Sequence, residues 1–122
     1  MPPRLLLVDD DPILAILVAD WLSEIGCEVV GPARSVAAAL QLVESEGAAL
    51  DGALLDVALA NEESYPVADA LALNGVPYAF VTGHGLGGVA ADYRDAPILT
   101  KPFQFDDLQR TIDRLAALRG AK

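Results

Sequence analysis

Short apolar runs alternate along the chain with longer stretches in which apolar positions recur at helical spacing. The first run, LLLV, drives into Asp9, Asp10 and Asp11. The stretch DPILAILVADWLSEIG then reads as a helix that Asp11 caps, Pro12 opens and Gly26 ends. Leu14, Leu17, Val18, Trp21 and Ile25 form its expected core stripe, which leaves Ile13 and Ile16 outside. CEVVG is a short strand ending at Gly31, before Pro32. Ser35 caps a second helix, VAAALQLVESEG, with Val36, Leu40 and Val43 inward. LDGALLDV is a strand closing on Asp56, and ANEES is a polar loop. YPVADALALNG is a helix stopped by Gly75, VPYAFVTG a fourth strand, and PILTK a fifth. The last helix, FDDLQRTIDRLAALRG, turns Phe105, Leu108, Ile112 and Leu115 inward. Between the fourth and fifth strands the pattern fades. Gly83, Gly85, Gly87 and Gly88 each cost a helix about 1 kcal/mol relative to alanine, so a helix here is short, beginning near Val89, or only marginally formed.

Five strands separated by helices imply an α/β fold with a parallel sheet and right-handed crossovers. The 122 residues suffice for one domain, and no repeat or linker divides them. Because the closing helix runs to the end of the sequence, the expectation is a single domain, 1–122, with no output domain attached.

Composition narrows the function classes. A hydrophobic fraction of 53% suits a sheet buried on both faces. No apolar stretch reaches the roughly 18–20 residues of a membrane helix, and no signal peptide is evident, so no membrane partner is expected. Eight basic residues against 18 acidic ones give a net charge of −10, which argues against nucleic acid as a partner. The single cysteine, Cys27, cannot form an internal disulfide, and a reducing cytoplasm is the expected location. Its expected role is that of a small buried hydrophobe.

The chemistry gathers at strand ends. In an open parallel sheet, ligands bind beyond the carboxyl ends of the strands, where the strand order switches. Asp9 and Asp10 end the first strand, Asp56 the third, Thr82 the fourth and Lys101 the fifth. Two carboxylates about 4 Å apart repel by roughly 4 kcal/mol at an effective dielectric near 20, so converging acids need cations. Lys101 supplies one positive charge, and a divalent cation such as Mg²⁺ relieves the rest. Thr82 and Lys101 would hold the oxygens of a transferred phosphoryl group, with Asp56 as the nucleophile that forms an aspartyl phosphate.

The motifs LLLVDDDP, ALLDV, FVTG and LTKPF resemble, in order, those of bacterial response-regulator receiver domains, and the likeness spans nearly the whole chain. It implies the flavodoxin-like (CheY-like) doubly wound five-stranded sheet in the order 2-1-3-4-5. By the same likeness Asp9 and Asp10 are the metal-binding acidic pair, and Asp56 is phosphoacceptor and metal ligand. The backbone carbonyl of Ala58 completes the protein's share of the metal site, with Mg²⁺, or Mn²⁺ in its place. Thr82 is the switch hydroxyl, Lys101 the conserved-type lysine, and Lys101–Pro102 a cis peptide. The implied role is that of a phosphoprotein of a two-component system. It takes its phosphoryl group from a sensor histidine kinase and passes the signal to a downstream protein; its only catalysis is its own phosphorylation and dephosphorylation. YPVADAL followed by GVPYAFVTGHG resembles the subgroup of mostly stand-alone receivers called FAT GUY, which implies a kinase of the HWE/HisKA2 type. Ordinary receivers carry Tyr or Phe three residues before the lysine, where this chain has Ile98. That departure puts the usual threonine-to-aromatic relay in doubt. His84, two residues beyond Thr82, is either a neighbour of the phosphoryl group or an exposed loop residue.

A rival reading is a Mg²⁺-dependent phosphatase of the haloacid-dehalogenase type. It would use Asp9 and Asp11 as nucleophile and acid, Thr82 and Lys101 on phosphate, and Asp106 and Asp107 on the metal. That reading leaves Asp56 idle and takes two metal ligands from a helix start, where acids simply favour the helix dipole. A third class is a receiver kept only as an interaction scaffold. Ile13 and Ile16 are candidates for partner contact on the first helix.

Overall fold

The computed structural model describes residues 2–120. Its main sheet is built from β1 (Arg4–Val8), β2 (Glu28–Ala33), β3 (Gly52–Asp56), β6 (Tyr78–Thr82) and β7 (Ile98–Thr100). A two-residue hairpin, β4 (Ala58–Leu59) with β5 (Glu62–Glu63), follows β3. The helices are α1 (Pro12–Ile25), α2 (Val36–Glu46), α3 (Tyr65–Leu73) and α4 (Phe105–Gly120). The five strands are parallel in the order β2-β1-β3-β6-β7, which is the expected 2-1-3-4-5 arrangement once the hairpin is set aside. The switch in strand order falls between β1 and β3, so Asp9, Asp10 and Asp56 leave the sheet side by side.

Alternation along each central strand explains why both sheet faces are covered. Leu6, Val8, Leu55 and Phe80 pack on one face against Ala39 and Val43 of α2 and Val67, Ala68 and Leu71 of α3. Leu5, Leu7, Leu54 and Val81 pack on the other against Ala15, Val18 and Leu22 of α1 and Leu108, Ile112 and Leu115 of α4. Cys27 is buried there too, as a small core residue.

The capping residues act as the sequence implies. Asp11 Oδ1 accepts from the N–H groups of Ile13 and Leu14 at 3.0 and 3.2 Å, and Gly26 closes α1 in the left-handed region. Ser35 Oγ accepts from Ala38 N–H at 3.1 Å.

Three expectations need correction. The inner line of α1 is Ala15, Val18 and Leu22, and Leu17 is 42% exposed. Leu14, Trp21 and Ile25 of the expected stripe pack against the same core, partly buried, so Leu17 alone falls outside it. In α2 the fully buried positions are Ala39 and Val43, with Val36 and Leu40 only partly covered. Finally, β2 does not stop at Gly31. It bulges through a cis Gly31–Pro32 peptide, and Asp9 N–H rejoins it at the Ala33 carbonyl, 3.0 Å away. Gly31 has φ +101°, and a side chain there would meet Ala33 N at 2.8 Å and Leu7 O at 2.9 Å. An edge strand tolerates a proline at such a bulge.

The segment after β6 contains no α-helix. Two 3-10 turns, Gly85–Gly88 and Ala91–Tyr93, flank Val89, which is extended and only 1% exposed. Val89 therefore anchors the segment to the core and does not begin a helix.

Candidate functional site

The central strands deliver their polar groups to the same end of the sheet: Asp9 and Asp10 follow β1, Asp56 ends β3 and Thr82 ends β6. Asp9 and Asp56 are 4% and 7% exposed, so both carboxyls are largely cut off from water. Carboxylate oxygens of Asp9, Asp10 and Asp56 all lie within 4.8 Å of one another. Two of the three are tied down by backbone donors. Asp9 Oδ1 accepts from Asp11 N–H at 2.9 Å, and Asp10 Oδ2 from Ala60 N–H at 2.7 Å. Lys101, carried on the loop after β7, places Nζ 3.0 Å from Asp56 Oδ1 and 3.1 Å from Oδ2. The Lys101–Pro102 peptide is cis.

Electrostatics show what the cluster lacks. Burial raises the Asp56 carboxyl to about 6; Lys101 opposes that rise and Asp9 adds to it. Burial raises Asp9 as well, against the pull of Asp11 N–H and Lys101. Even beside an ammonium group both acids resist ionisation, chiefly because burial takes water away from the charged form. An all-oxygen donor set with excess negative charge fits a hard divalent cation such as Mg²⁺, which prefers a few carboxylates and keeps several waters.

A cleft opens beside Asp56. Ala58, Glu63, Thr82, His84, Gly88 and Lys101 line it, so His84 belongs to the site's rim. Thr82 is buried at the end of β6, and its Oγ1 accepts from His84 N–H at 3.1 Å. The acids required by the phosphatase reading are elsewhere. Asp11 is an exposed cap, and Asp106 and Asp107 sit in the first turn of α4, where Asp107 caps Gln104 N–H at 2.9 Å and pairs with Arg110. That reading is not supported.

Sequence reasoning missed the contribution of the hairpin, which the run ANEES disguised as a featureless loop. Ala60 turns it with φ +52° and gives its N–H to Asp10. A left-handed alanine is uncommon, and no residue type at 60 announces it. Glu63 and Gly88 were missed as well; four glycines in a short segment were the available signal for Gly88.

Residues 5–113 match the model of the response regulator receiver domain. The chain belongs to that family. Among solved structures similar to this receiver is the solution structure of SdrG from Sphingomonas melonis Fr1. It is 38% identical, with 93% of this chain and 96% of that one covered and a TM-score of 0.82. The BeF3-activated conformation of SdrG, from Pseudomonas melonis Fr1, gives 38% identity over 93% and 95% of the two chains and a TM-score of 0.79. The response regulator PhyR from Brucella abortus is 28% identical with a TM-score of 0.83; 99% of this receiver aligns to 50% of that chain. No curated protein matches the receiver in sequence. Among the described residues no helix is long and apolar enough to cross a membrane.

Proposed function

We propose that this receiver takes a phosphoryl group from the phosphohistidine of a sensor histidine kinase onto Asp56. The contact of Lys101 Nζ with both Asp56 oxygens, inside a cluster of three acids, carries the reading. An Asp56 oxygen attacks phosphorus, the new O–P bond forms, and the P–N bond to the kinase imidazole breaks. A carboxyl raised to about 6 is mostly ionised at neutral pH and poorly solvated, which suits a nucleophile. Lys101 and Thr82 hold oxygens of the arriving group. Asp9, Asp10, Asp56 and the Ala58 carbonyl would hold Mg²⁺ or Mn²⁺, which when bound supplies neutralisation of phosphoryl charge.

The likeness of YPVADAL and GVPYAFVTGHG to the FAT GUY receivers supports a kinase of the HWE/HisKA2 type. The exposed Ile13 and Ile16 of α1, 81% and 64% accessible, are the proposed kinase contacts. The downstream target is a protein in the cytoplasm. With Ile98 in place of an aromatic residue, the signal leaves Thr82 through the segment that follows it.

Incubation with acetyl phosphate or the cognate kinase and Mg²⁺ tests the reading. One phosphate per chain is expected, not formed when EDTA is present from the start and absent in Asp56→Asn. Labelling of Asp56→Asn at the wild-type level would refute it.

A further inference from the structure

Gly88 touches the hydroxyl that the chemistry uses. A methyl group built on Gly88 would overlap Thr82 Oγ1, and would lie 2.9 Å from His84 Cβ and 3.3 Å from Thr82 Cβ. Gly87, its neighbour in the same turn, would meet nothing within 4 Å. The crowding therefore belongs to position 88 and not to the turn as a whole. Gly88 also lines the cleft beside Asp56, together with Thr82 and His84.

The turn has little freedom to retreat as a unit. Val89 is buried in the core, and Ala90 N–H donates to Tyr65 Oη at 2.8 Å. Arg94 Nε donates to the Val89 carbonyl at 2.8 Å. At the other end, His84 N–H holds Thr82 Oγ1. Residues 83–88 thus span two fixed points, and their closest approach is a bare backbone against a hydroxyl.

We infer that Gly88 is a positioning residue for Thr82: its missing side chain lets the 85–88 turn close over the Thr82 hydroxyl in the resting state. This rests on the reading of Asp56 as phosphoacceptor. When Thr82 turns its hydroxyl to a phosphoryl group on Asp56 it leaves Gly88, and the turn gains the space that it lacks at rest. A side chain at 88 therefore penalises the resting arrangement and spares the phosphorylated one. By linkage, whatever destabilises only the resting state tightens binding of a ligand that prefers the other.

Three variants test this, with beryllofluoride and fixed Mg²⁺ as the phosphoryl probe and urea unfolding without either as the second measurement. Gly88→Ala is expected to lower the urea midpoint and to bind beryllofluoride about tenfold more tightly, within the usual range of coupling. Gly87→Ala is expected to change neither. In a Thr82→Ala background, which removes Oγ1, most of the stability loss from Gly88→Ala should vanish. Should Gly88→Ala alone fail to fold, recovery in the Thr82→Ala background supports the same conclusion. An equal loss in both backgrounds overturns it, as does unchanged or weaker beryllofluoride binding by Gly88→Ala. A wild-type protein that binds no beryllofluoride removes the reading of Asp56 itself; binding by the wild type without the gain removes this inference alone.

Discussion

The connections after β1 and β6 leave the same end of the sheet on either side of β3, yet they are built in opposite ways. After β1, Asp11 caps a 14-residue helix at once, and the Asp9 and Asp10 carboxylates accept from backbone N–H groups. After β6 come four glycines and two 3-10 turns, with no side-chain cap on either turn. The first connection is closed by local caps at Asp11 and Asp9, and only Asp10 reaches a distant donor, Ala60 N–H. The second is held by distant partners: Val89 in the core, Tyr65 Oη on Ala90 N–H, and Tyr93 stacked on Tyr65 at 4.4 Å with its hydroxyl on Asp69. The acids thus stand on a fixed platform, while Thr82 faces a wall whose shape depends on a few tertiary contacts. A device that must bind one group and report its arrival needs both kinds of construction.

The largest expected effect concerns the platform. Asp56 is raised on folding from an ordinary 3.8 to about 6, so the folded metal-free protein holds a proton that the unfolded chain releases. Stability should therefore fall as pH rises from about 4 to about 6, by up to about 3 kcal/mol. Urea unfolding across that range checks it; Asp56→Asn should reduce the slope, leaving the part due to Asp9, and saturating Mg²⁺ should offset the loss. A metal-free protein that gains stability over the same range would contradict the described cluster.

Val89→Ala comes next. Truncating a buried side chain leaves a cavity and removes the main anchor of the second connection, at a cost of about 2 kcal/mol. Hydrogen exchange should quicken across residues 83–95 and leave α1 unaltered. Asp11→Ala is the mirror experiment, with a cost of about 1 kcal/mol for the lost cap. Its faster exchange should stay in the first turn of α1. If either change loosens both connections equally, the contrast between them fails.

How much of this could be read in advance follows the same division. The strand ends other than that of β2, the Asp11 and Ser35 caps and the closing helix were legible, because short-range pattern and capping chemistry determine them. On α1 the stripe of Leu14, Val18, Trp21 and Ile25 does pack on the core, but Leu17 was counted in place of Ala15, which is small and weakly hydrophobic. Asp9, Asp10, Asp56 and Lys101 were legible as strand-end residues and do converge. The second connection was not legible. Its partners lie in α3 and β6, and Tyr65, Phe80 and Tyr93 meet only once the chain has folded, with ring centres 4.4–6.0 Å apart.

The smallest effect on stability belongs to the outer face of α1. Ile16 is exposed, so Ile16→Lys should change stability by no more than about 0.5 kcal/mol. Phosphorylation by the kinase should slow while phosphorylation by acetyl phosphate does not. Equal rates from the kinase would show that the platform's outer face is not where it docks.

Trp21 is the chain's single tryptophan, and its place gives the receiver an optical gauge. Its ring meets Phe103 edge-on at 6.2 Å and Phe105 at 5.9 Å, and it lines a groove together with Lys101 and Pro102. The indole thus touches the loop that carries the ammonium group to Asp56. A shift of Lys101 as charge arrives or departs would alter the surroundings of one fluorophore, so a change in the emission of the unlabelled protein is the expected sign that its site has filled.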